Sequence, residues 1–193
     1  MALTFDDGPV PGSTDLVLDV LHDLGVNATF FCVGKNAEAH PELVRRIRDE
    51  GHAVGSHSWS HPHPADTGLR DLARDYDRGR SAVAEALGAD TVLFRPPNGH
   101  IGWTSAALMR RRGLVPWLWD VDPQDWRPGI SREEVAAVAS TADRGSVVLL
   151  HDWVEQPWAP AALDRSATIE SLTEVVAAVR RRGLTFQRLH VER

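Results

Sequence analysis

Two histidines four residues apart, His57 and His61, stand in the segment GSHSWSH at positions 55–61. In a helical turn this spacing places both imidazoles on one face, where they can bind a single metal ion. An arbitrary pair at this spacing is more often two unrelated surface residues. This pair, however, directly follows a predicted strand, and two adjacent carboxylates follow another predicted strand. We therefore interpret His57 and His61 as metal ligands.

The adjacent carboxylates, Asp6 and Asp7, follow a short apolar strand and precede Gly8 and Pro9. Because Asp, Gly and Pro are common in turns, a plain turn accounts for one of the two acids. Two carboxylates at the tip of a buried strand repel each other unless a cation or an arginine compensates their charge. If one of them binds a metal with two histidines, open positions remain for water and a substrate oxygen, and the other carboxylate is free to act as a base.

Arg95 and His151 each have two interpretations. Arg95 ends a predicted strand in the segment FRPPNG at positions 94–99, and its side chain is either solvated or directed to a site. His151 follows the apolar run 147–150. It is either a core histidine that binds a backbone carbonyl or a general acid opposite the base. The residues alone leave both choices open.

The elements that position these residues alternate between strands and helices. Apolar runs predict about seven strands, at positions 2–5, 28–33, 53–56, 92–95, 115–121, 146–150 and 185–189. Helical periodicity and capping signals predict helices between most of them, after Ser13, after Pro41, over 68–87, over 105–112, after Ser131 and over 167–182.

This alternation implies parallel strands joined by right-handed crossovers. The polar residues then all follow the carboxyl ends of strands, the edge where active sites form in open sheets and in barrels: Asp6, Asp7, His57, His61, Arg95, Asp122, Asp125 and His151. The pattern leaves two architectures, an open doubly wound sheet and a closed or nearly closed barrel. The chain is short for a full eight-unit barrel, which needs about 250 residues.

The composition excludes several classes of protein. The 193 residues carry 21 Lys and Arg against 27 Asp and Glu, and the net charge of −6 argues against a nucleic-acid partner. The single cysteine, Cys32, excludes an internal disulfide framework and a Cys-based zinc cluster. No apolar run approaches the roughly 20 residues of a membrane helix, and no signal segment precedes the first strand.

Five segments in one order resemble the motifs of the polysaccharide deacetylases, the NodB-homology domains of carbohydrate esterase family 4. Each segment is weak alone, but together they are specific and extend over most of the chain: TFDDGP at 4–9, HSWSH at 57–61, RPPNG at 95–99, DPQDW at 122–126 and LLH at 149–151. The resemblance implies one α/β catalytic domain over residues 1–193. Its fold would be a distorted (β/α) barrel with about seven parallel strands.

The resemblance also implies the hydrolysis of acetyl groups on a carbohydrate, with an acetylated glycan as the partner. We expect a glycan that contains N-acetylglucosamine, such as chitin oligomers or peptidoglycan, with acetylxylan as the main rival. Two alternatives stay open: a hydrolase of a non-sugar amide or cyclic imide, and a non-catalytic glycan-binding domain. Family members are often exported, so the resemblance slightly favours an extracellular or cell-envelope location, whereas a true start at Met1 would fit a cytoplasmic protein. Nothing indicates an oligomer.

By position, the motifs assign three ligands to a divalent metal, usually zinc and sometimes cobalt or another ion: Asp7, His57 and His61. Asp6 is the expected general base, and Arg95 is expected to hold it in the charged form. His151 is the expected general acid, with Asp125 as the carboxylate that orients it.

The remaining matched residues are expected beside the substrate: Pro97, Asn98, Trp126 and Leu149. Trp126 and Leu149 would line the pocket for the acetyl methyl group, and the backbone N–H of Asn98 would bind the oxyanion. The family usually has an aromatic residue where this chain has Asn98. This difference affects inferences about substrate choice but not about reaction type.

Other tryptophans are candidates for contact with sugar. Trp153 and Trp158 lie in a predicted loop close to the last motif. Trp117 and Trp119 alternate along a predicted strand, where they belong either to the core or to the groove.

Overall fold

Six parallel strands form one sheet in the computed structural model, which describes residues 1–191. They are β1 (Ala2–Asp6), β2 (Thr29–Cys32), β3 (Ala53–Ser56), β4 (Leu93–Phe94), β5 (Val115–Pro116) and β6 (Val147–His151). Their order across the sheet is β5-β4-β3-β2-β1-β6. Every residue of β1 and β2 is buried, as expected for strands covered on both faces.

The same part of the chain contains seven α-helices: α1 (Thr14–Leu24), α2 (Gly34–Ala39), α3 (Pro41–Asp49), α4 (Leu69–Leu87), α5 (Trp103–Arg111), α6 (Arg132–Ala139) and α7 (Ser166–Arg181). Short 3₁₀ turns cover Pro97–Gly99 and Pro160–Leu163. The capping signal at Ser131 is confirmed, because Ser131 and Glu134 form a capping box at the start of α6. Among residues 1–191, no helix has both the length and the apolar character needed to span a bilayer.

The main core lies between the centre of the sheet and the helices. The rings of Phe5 in β1 and Phe30 in β2 stack with centroids 5.0 Å apart, and α1 adds the buried Leu18 and Leu21. Because β1 is packed on both faces and paired on both edges, its carboxyl end is held firmly. That end carries Asp6 and leads directly into Asp7.

The sheet curls so that its two edges approach each other. Beyond β5, the chain runs toward β6, where Val121 pairs in parallel with Val148. Leu149 then donates its amide to the carbonyl of Val121 at 2.9 Å. This connection between the two edges decides the open question of architecture in favour of a distorted, nearly closed barrel.

The predicted seventh strand at 185–189 is wrong, because these described residues form no strand. The amide of Gln187 binds the carbonyl of Met1, and the amide of Leu189 binds the hydroxyl of Thr29. β1 already pairs with β2 on one edge and β6 on the other, so the segment meets no free edge on which to build a ladder.

Other predicted elements differ in extent or in detail. The run predicted as a strand at 115–121 forms a strand only over Val115–Pro116, with an isolated bridge at Val121, and α2 is a helix that the periodicity does not predict. Ser13 occupies the N-cap position of α1, but its hydroxyl donates to the carbonyl of Asp152 instead of capping the helix. The capping interaction predicted for Ser13 is therefore wrong.

Candidate active site

The carboxyl ends of the strands surround a cavity of about 380 Å³. Eight of the predicted site residues line it: Asp6, Asp7, His57, His61, Asn98, Trp126, Leu149 and His151. Arg95 and Asp125 are buried behind this lining. Pro97 is also buried, in the turn Pro97–Gly99, and is not among the lining residues.

Asp7, His57 and His61 each present one ligand atom, and these atoms lie within 4.8 Å of one another. The Oδ1 atom of Asp7 is 3.5 Å from Nε2 of His57 and 3.5 Å from Nε2 of His61. Asp7 has a φ of 79° and His61 a φ of 56°. Both turns therefore adopt the uncommon left-handed conformation that brings these side chains together.

His57 is oriented by its other ring nitrogen. Nδ1 lies 2.6 Å from the carbonyl oxygen of Arg95. Because a carbonyl only accepts, Nδ1 carries the proton, and Nε2 presents its lone pair toward Asp7. Burial lowers the pKa of His57 well below its usual range, and burial also lowers the pKa of His61. Both rings are neutral, which is the form that binds metal.

Only one of the two oxygens of the Asp7 carboxylate accepts a hydrogen bond. Its Oδ2 accepts the amide of Glu155 at 2.7 Å, whereas Oδ1 is buried and has no hydrogen-bond partner. Burial raises the pKa of Asp7 to about 7, and the neighbouring Asp6 adds to that rise. A partnerless buried oxygen facing two imidazole nitrogens fits a divalent cation. Nitrogen and carboxylate donors suit zinc or cobalt.

Asp6 forms a buried ion pair with Arg95. Nη1 of Arg95 donates to Oδ1 of Asp6 at 2.8 Å and to the hydroxyl of Thr4 at 2.8 Å. The other guanidinium nitrogens donate to the carbonyls of Trp117 and Leu118. Burial raises the pKa of Asp6, and the Arg95 guanidinium opposes that rise. The structure therefore excludes the solvated alternative for Arg95.

His151 is held by Asp125 at two points. Nδ1 of the ring lies 2.7 Å from Oδ1 of Asp125, and the backbone amide of His151 donates to Oδ2 at 2.8 Å. Burial of the ring lowers its pKa, but the Asp125 carboxylate outweighs this effect and raises the pKa of His151 to about 9. His151 is therefore protonated at neutral pH, and it is not a core histidine bound to a carbonyl.

Two residues that sequence reasoning missed support Asp125 from the α7 end. The hydroxyl of Thr168 donates to Oδ2 of Asp125 at 2.8 Å, and Arg165 donates to its carbonyl at 2.8 Å. They lie about forty residues further along the chain than Asp125. No local pattern marks them, since the contact exists only after α7 packs against the sheet.

The turn that carries His57 and His61 is fixed by α4. Asp75 of α4 accepts the amide of Trp59 at 2.8 Å and the hydroxyl of Ser60 at 2.6 Å. One turn further along the helix, Gly79 allows the backbone of Ser58 to contact α4 directly. These contacts place the histidine turn against a rigid helix rather than in a mobile loop.

Replacing Gly79 by Ala is expected to lower the free energy of unfolding by about 1–2 kcal/mol. A methyl group there would overlap the carbonyl of Ser58 and lie 2.6 Å from the amide nitrogen of Trp59. Overpacking costs about 1–3 kcal/mol, and a clash with backbone atoms belongs in the upper half of that range, so it exceeds the roughly 1 kcal/mol by which Ala is preferred to Gly in helices. Chemical denaturation measures the change.

The exposed Ser81 of α4 provides the control Ser81→Ala, which adds no contact with the histidine turn. A Gly79→Ala variant as stable as the wild type would contradict the packing argument.

Residues after β6 hold the Asp7 turn from the other side. Asp152 is buried and accepts the amide of Gly8 at 3.0 Å and the hydroxyl of Thr14 at 2.6 Å. The side chain of Glu155 pairs with Lys35, the only lysine of the chain, at 2.5 Å. Sequence reasoning missed Asp152 and Glu155 because more than 100 residues separate them from their partners.

The opposite wall of the cavity contains Asn98 and Trp119. Asn98 has a φ of 55°, and the next residue, Gly99, has a φ of 63° and packs on the ring of Trp119. Asparagine tolerates the left-handed conformation better than most residues, which gives a physical reason for Asn at this position. Trp117 and Trp119 both pack against the same small core cluster, but of the two only Trp119 is among the described residues that line the cavity.

Sequence comparisons match this chain to a protein-family model and to characterised relatives. The polysaccharide deacetylase family model matches residues 1–117. A peptidoglycan-N-acetylglucosamine deacetylase of Bacillus cereus is 34% identical over 189 residues, which cover 96% of this chain and 84% of the relative. A chitooligosaccharide deacetylase of Sinorhizobium fredii is 38% identical over 194 residues, which cover 97% of this chain and 88% of the relative.

Solved structures share the fold over nearly the whole chain. A family 4 carbohydrate esterase from Streptomyces lividans in complex with acetate has a TM-score of 0.87 and 34% identity, and the match covers 98% of this chain and 92% of that chain. A family 4 acetyl xylan esterase from Clostridium thermocellum in complex with a cobalt ion has a TM-score of 0.83 and 31% identity. That match covers 97% of this chain and 86% of the esterase chain.

Proposed function

Because the chain belongs to the polysaccharide deacetylase family, we propose that it hydrolyses acetyl groups on a glycan with the help of a divalent cation. One observation carries the proposal. The partnerless Oδ1 of Asp7 and the Nε2 atoms of His57 and His61 converge in the same cavity that Asp6 and His151 line. Such a site combines ligands for a cation with a carboxylate and a protonated imidazole.

Asp7, His57 and His61 would hold the cation, with zinc the first choice and cobalt or another divalent ion as alternatives. When bound, the cation would polarise the acetyl carbonyl and make the attacking water more acidic. Asp6 acts as the general base and takes the proton of that water at Oδ2, since its Oδ1 is bound to Arg95. The guanidinium of Arg95 keeps Asp6 in the charged form that accepts a proton.

His151 acts as the general acid on the leaving group. Its Nδ1 is engaged by Asp125, so Nε2 is the atom that donates a proton to the sugar nitrogen or oxygen as the bond to the acyl carbon breaks. The products are acetate and the free amine or hydroxyl of the sugar. Trp126 and Leu149 line the space for the acetyl methyl group, and the backbone N–H of Asn98 stabilises the oxyanion.

The preferred substrate in this proposal is a glycan that contains N-acetylglucosamine. The Bacillus cereus and Sinorhizobium fredii relatives act on peptidoglycan and chitooligosaccharide, which supports this class. Acetylxylan is the rival, because the cobalt-bound Clostridium thermocellum structure is an acetyl xylan esterase. All three substrates require the same chemistry at the acetyl group.

Acetate release tests the proposal directly. The protein is stripped of metal, loaded with zinc or cobalt, and incubated with chitooligosaccharides, peptidoglycan, acetylxylan and a set of small amides and cyclic imides. We expect metal-dependent acetate release that is strongest on an N-acetylglucosamine substrate. Turnover of only the non-sugar amides or imides would overturn the glycan assignment, and metal-loaded protein inactive on every substrate would overturn the proposed function.

A further inference from the structure

Two tryptophan side chains are largely exposed, Trp103 at 96% and Trp158 at 73%. Trp158 lines the catalytic cavity, whereas Trp103, at the start of α5, is not among the described residues of the lining. Single exposed apolar residues are common and need no explanation. A large exposed ring at the mouth of a catalytic cavity, however, is placed to contact whatever extends out of it.

The segment that carries Trp158 is fixed immediately before this residue. The side-chain amide of Gln156 donates to the carbonyl of Ser60 at 3.0 Å and to that of His61 at 3.2 Å. The amide of Glu155 donates to Asp7, and its carboxylate pairs with Lys35. Pro157 then restricts the backbone further. The ring of Trp158 is therefore presented from an ordered segment, so that binding a ligand loses little conformational entropy.

The cavity offers no lysine or arginine partner to an anionic sugar. Within residues 1–191, no Lys or Arg lines it, and its acidic lining residues are Asp6, Asp7, Asp122 and Glu155. A bound divalent cation and the pair between Glu155 and Lys35 offset part of this negative charge, and an uncharged sugar needs no charged partner here. The C–H face of a neutral sugar ring stacks well on an indole, which supplies a large apolar surface with few rotatable bonds.

We propose that Trp158 is the stacking residue for a second sugar ring, next to the ring that carries the reacting acetyl group. This inference rests on the proposed function and deepens it, since it makes the protein prefer a neutral oligosaccharide to a single sugar. Trp158 contributes to substrate affinity and to the preferred length of the oligosaccharide, and it takes no part in the acid–base steps. The structure thereby distinguishes Trp158 from Trp153, which is half-buried and is not a residue of the cavity lining described for residues 1–191.

The test compares KM and kcat for acetate release from N-acetylglucosamine and from penta-N-acetylchitopentaose, with zinc-loaded wild type, Trp158→Ala, Trp158→Phe and Trp103→Ala. We expect Trp158→Ala to raise KM for the pentamer by about 3–10-fold, with a smaller effect on kcat and a smaller advantage of the pentamer over the single sugar. Trp158→Phe should retain most of the affinity. Trp103→Ala, which removes an even more exposed ring outside the cavity lining, should leave KM unchanged.

A second measurement separates this inference from the proposed function. Calorimetric binding of penta-N-acetylchitopentaose is compared between zinc-loaded Asp6→Asn and the double variant Asp6→Asn/Trp158→Ala. Weaker binding by about 3–10-fold in the double variant supports stacking, even if the wild type releases no acetate and the proposed function fails. Equal binding, an unchanged KM in Trp158→Ala, or an equal loss in Trp103→Ala overturns the role of Trp158, even if acetate is released.

Discussion

Replacing Asp6 by Asn is expected to lower kcat for acetate release by about 10²–10⁴-fold, the contribution of a positioned general base. The amide oxygen of Asn can still accept the hydrogen bond from Nη1 of Arg95, but it cannot take a proton from water. The metal ligands remain in place, so zinc should still bind. Single-turnover acetate release and a zinc titration of the same variant measure the two effects separately.

Asp122 offers the matched control for Asp6. It is a second carboxylate of the cavity lining, it is half-buried, and its Oδ1 accepts the amide of Gln124 at 2.8 Å. Asp122→Asn should lose far less activity than Asp6→Asn. Asp6→Asn also leaves the buried Arg95 without its counter-charge, so thermal unfolding of both variants separates lost stability from lost chemistry. Wild-type turnover in a folded Asp6→Asn protein would remove Asp6 from its role as base.

Replacing His61 by Ala is expected to weaken zinc binding by at least about 100-fold. Loss of an outer partner of a metal site already lowers affinity by about 10–100-fold, and a direct ligand contributes more. His61 suits the test because it lines the cavity and belongs to none of the apolar core clusters of the described residues, so its removal disturbs the core little. Competition with a chromophoric chelator gives the affinity, and acetate release should fall in parallel at limiting zinc.

His63 provides the control for this substitution. It lies two residues beyond His61, its side chain is 45% exposed, and it pairs with Asp66 rather than with Asp7. His63→Ala should bind zinc as tightly as the wild type. If His61→Ala retained wild-type affinity, or if both variants lost affinity equally, the assignment of Asp7, His57 and His61 as the metal ligands would be wrong.

Asp7 shows how the site depends on supports that act from several directions. Its backbone carbonyl accepts a hydrogen bond from the side-chain amide of Asn36 at 2.8 Å, its Oδ2 accepts the backbone amide of Glu155, and the backbone amide of its neighbour Gly8 donates to Asp152. The first contact comes from α2, and the other two come from the segment that follows β6. Oδ1 is thus directed at the two histidines by packing, and the arrangement does not depend on the side-chain torsion of Asp7 alone.

The sequence by itself determined the parts of this protein that depend on nearby residues. Helix periodicity and caps located α1, α3, α4, α5, α6 and α7 to within a few residues, and the apolar runs located the six strands of the sheet. Because parallel strands direct their carboxyl ends to one edge, the order of strands and polar residues was enough to predict where Asp6, His57 and His151 would meet.

Only the tertiary structure decided which contacts across the barrel position these residues. The burial of Arg95 against Asp6, the clamp of Glu155 on Asp7 and the support of Asp125 by Thr168 join residues that lie 43 to 148 positions apart. The two-residue period of a strand and the 3.6-residue period of a helix carry no information about contacts between residues so far apart in the sequence. The missing seventh strand has the same cause, since whether 185–189 pairs depends on whether β1 still has a free edge, and β2 and β6 occupy both.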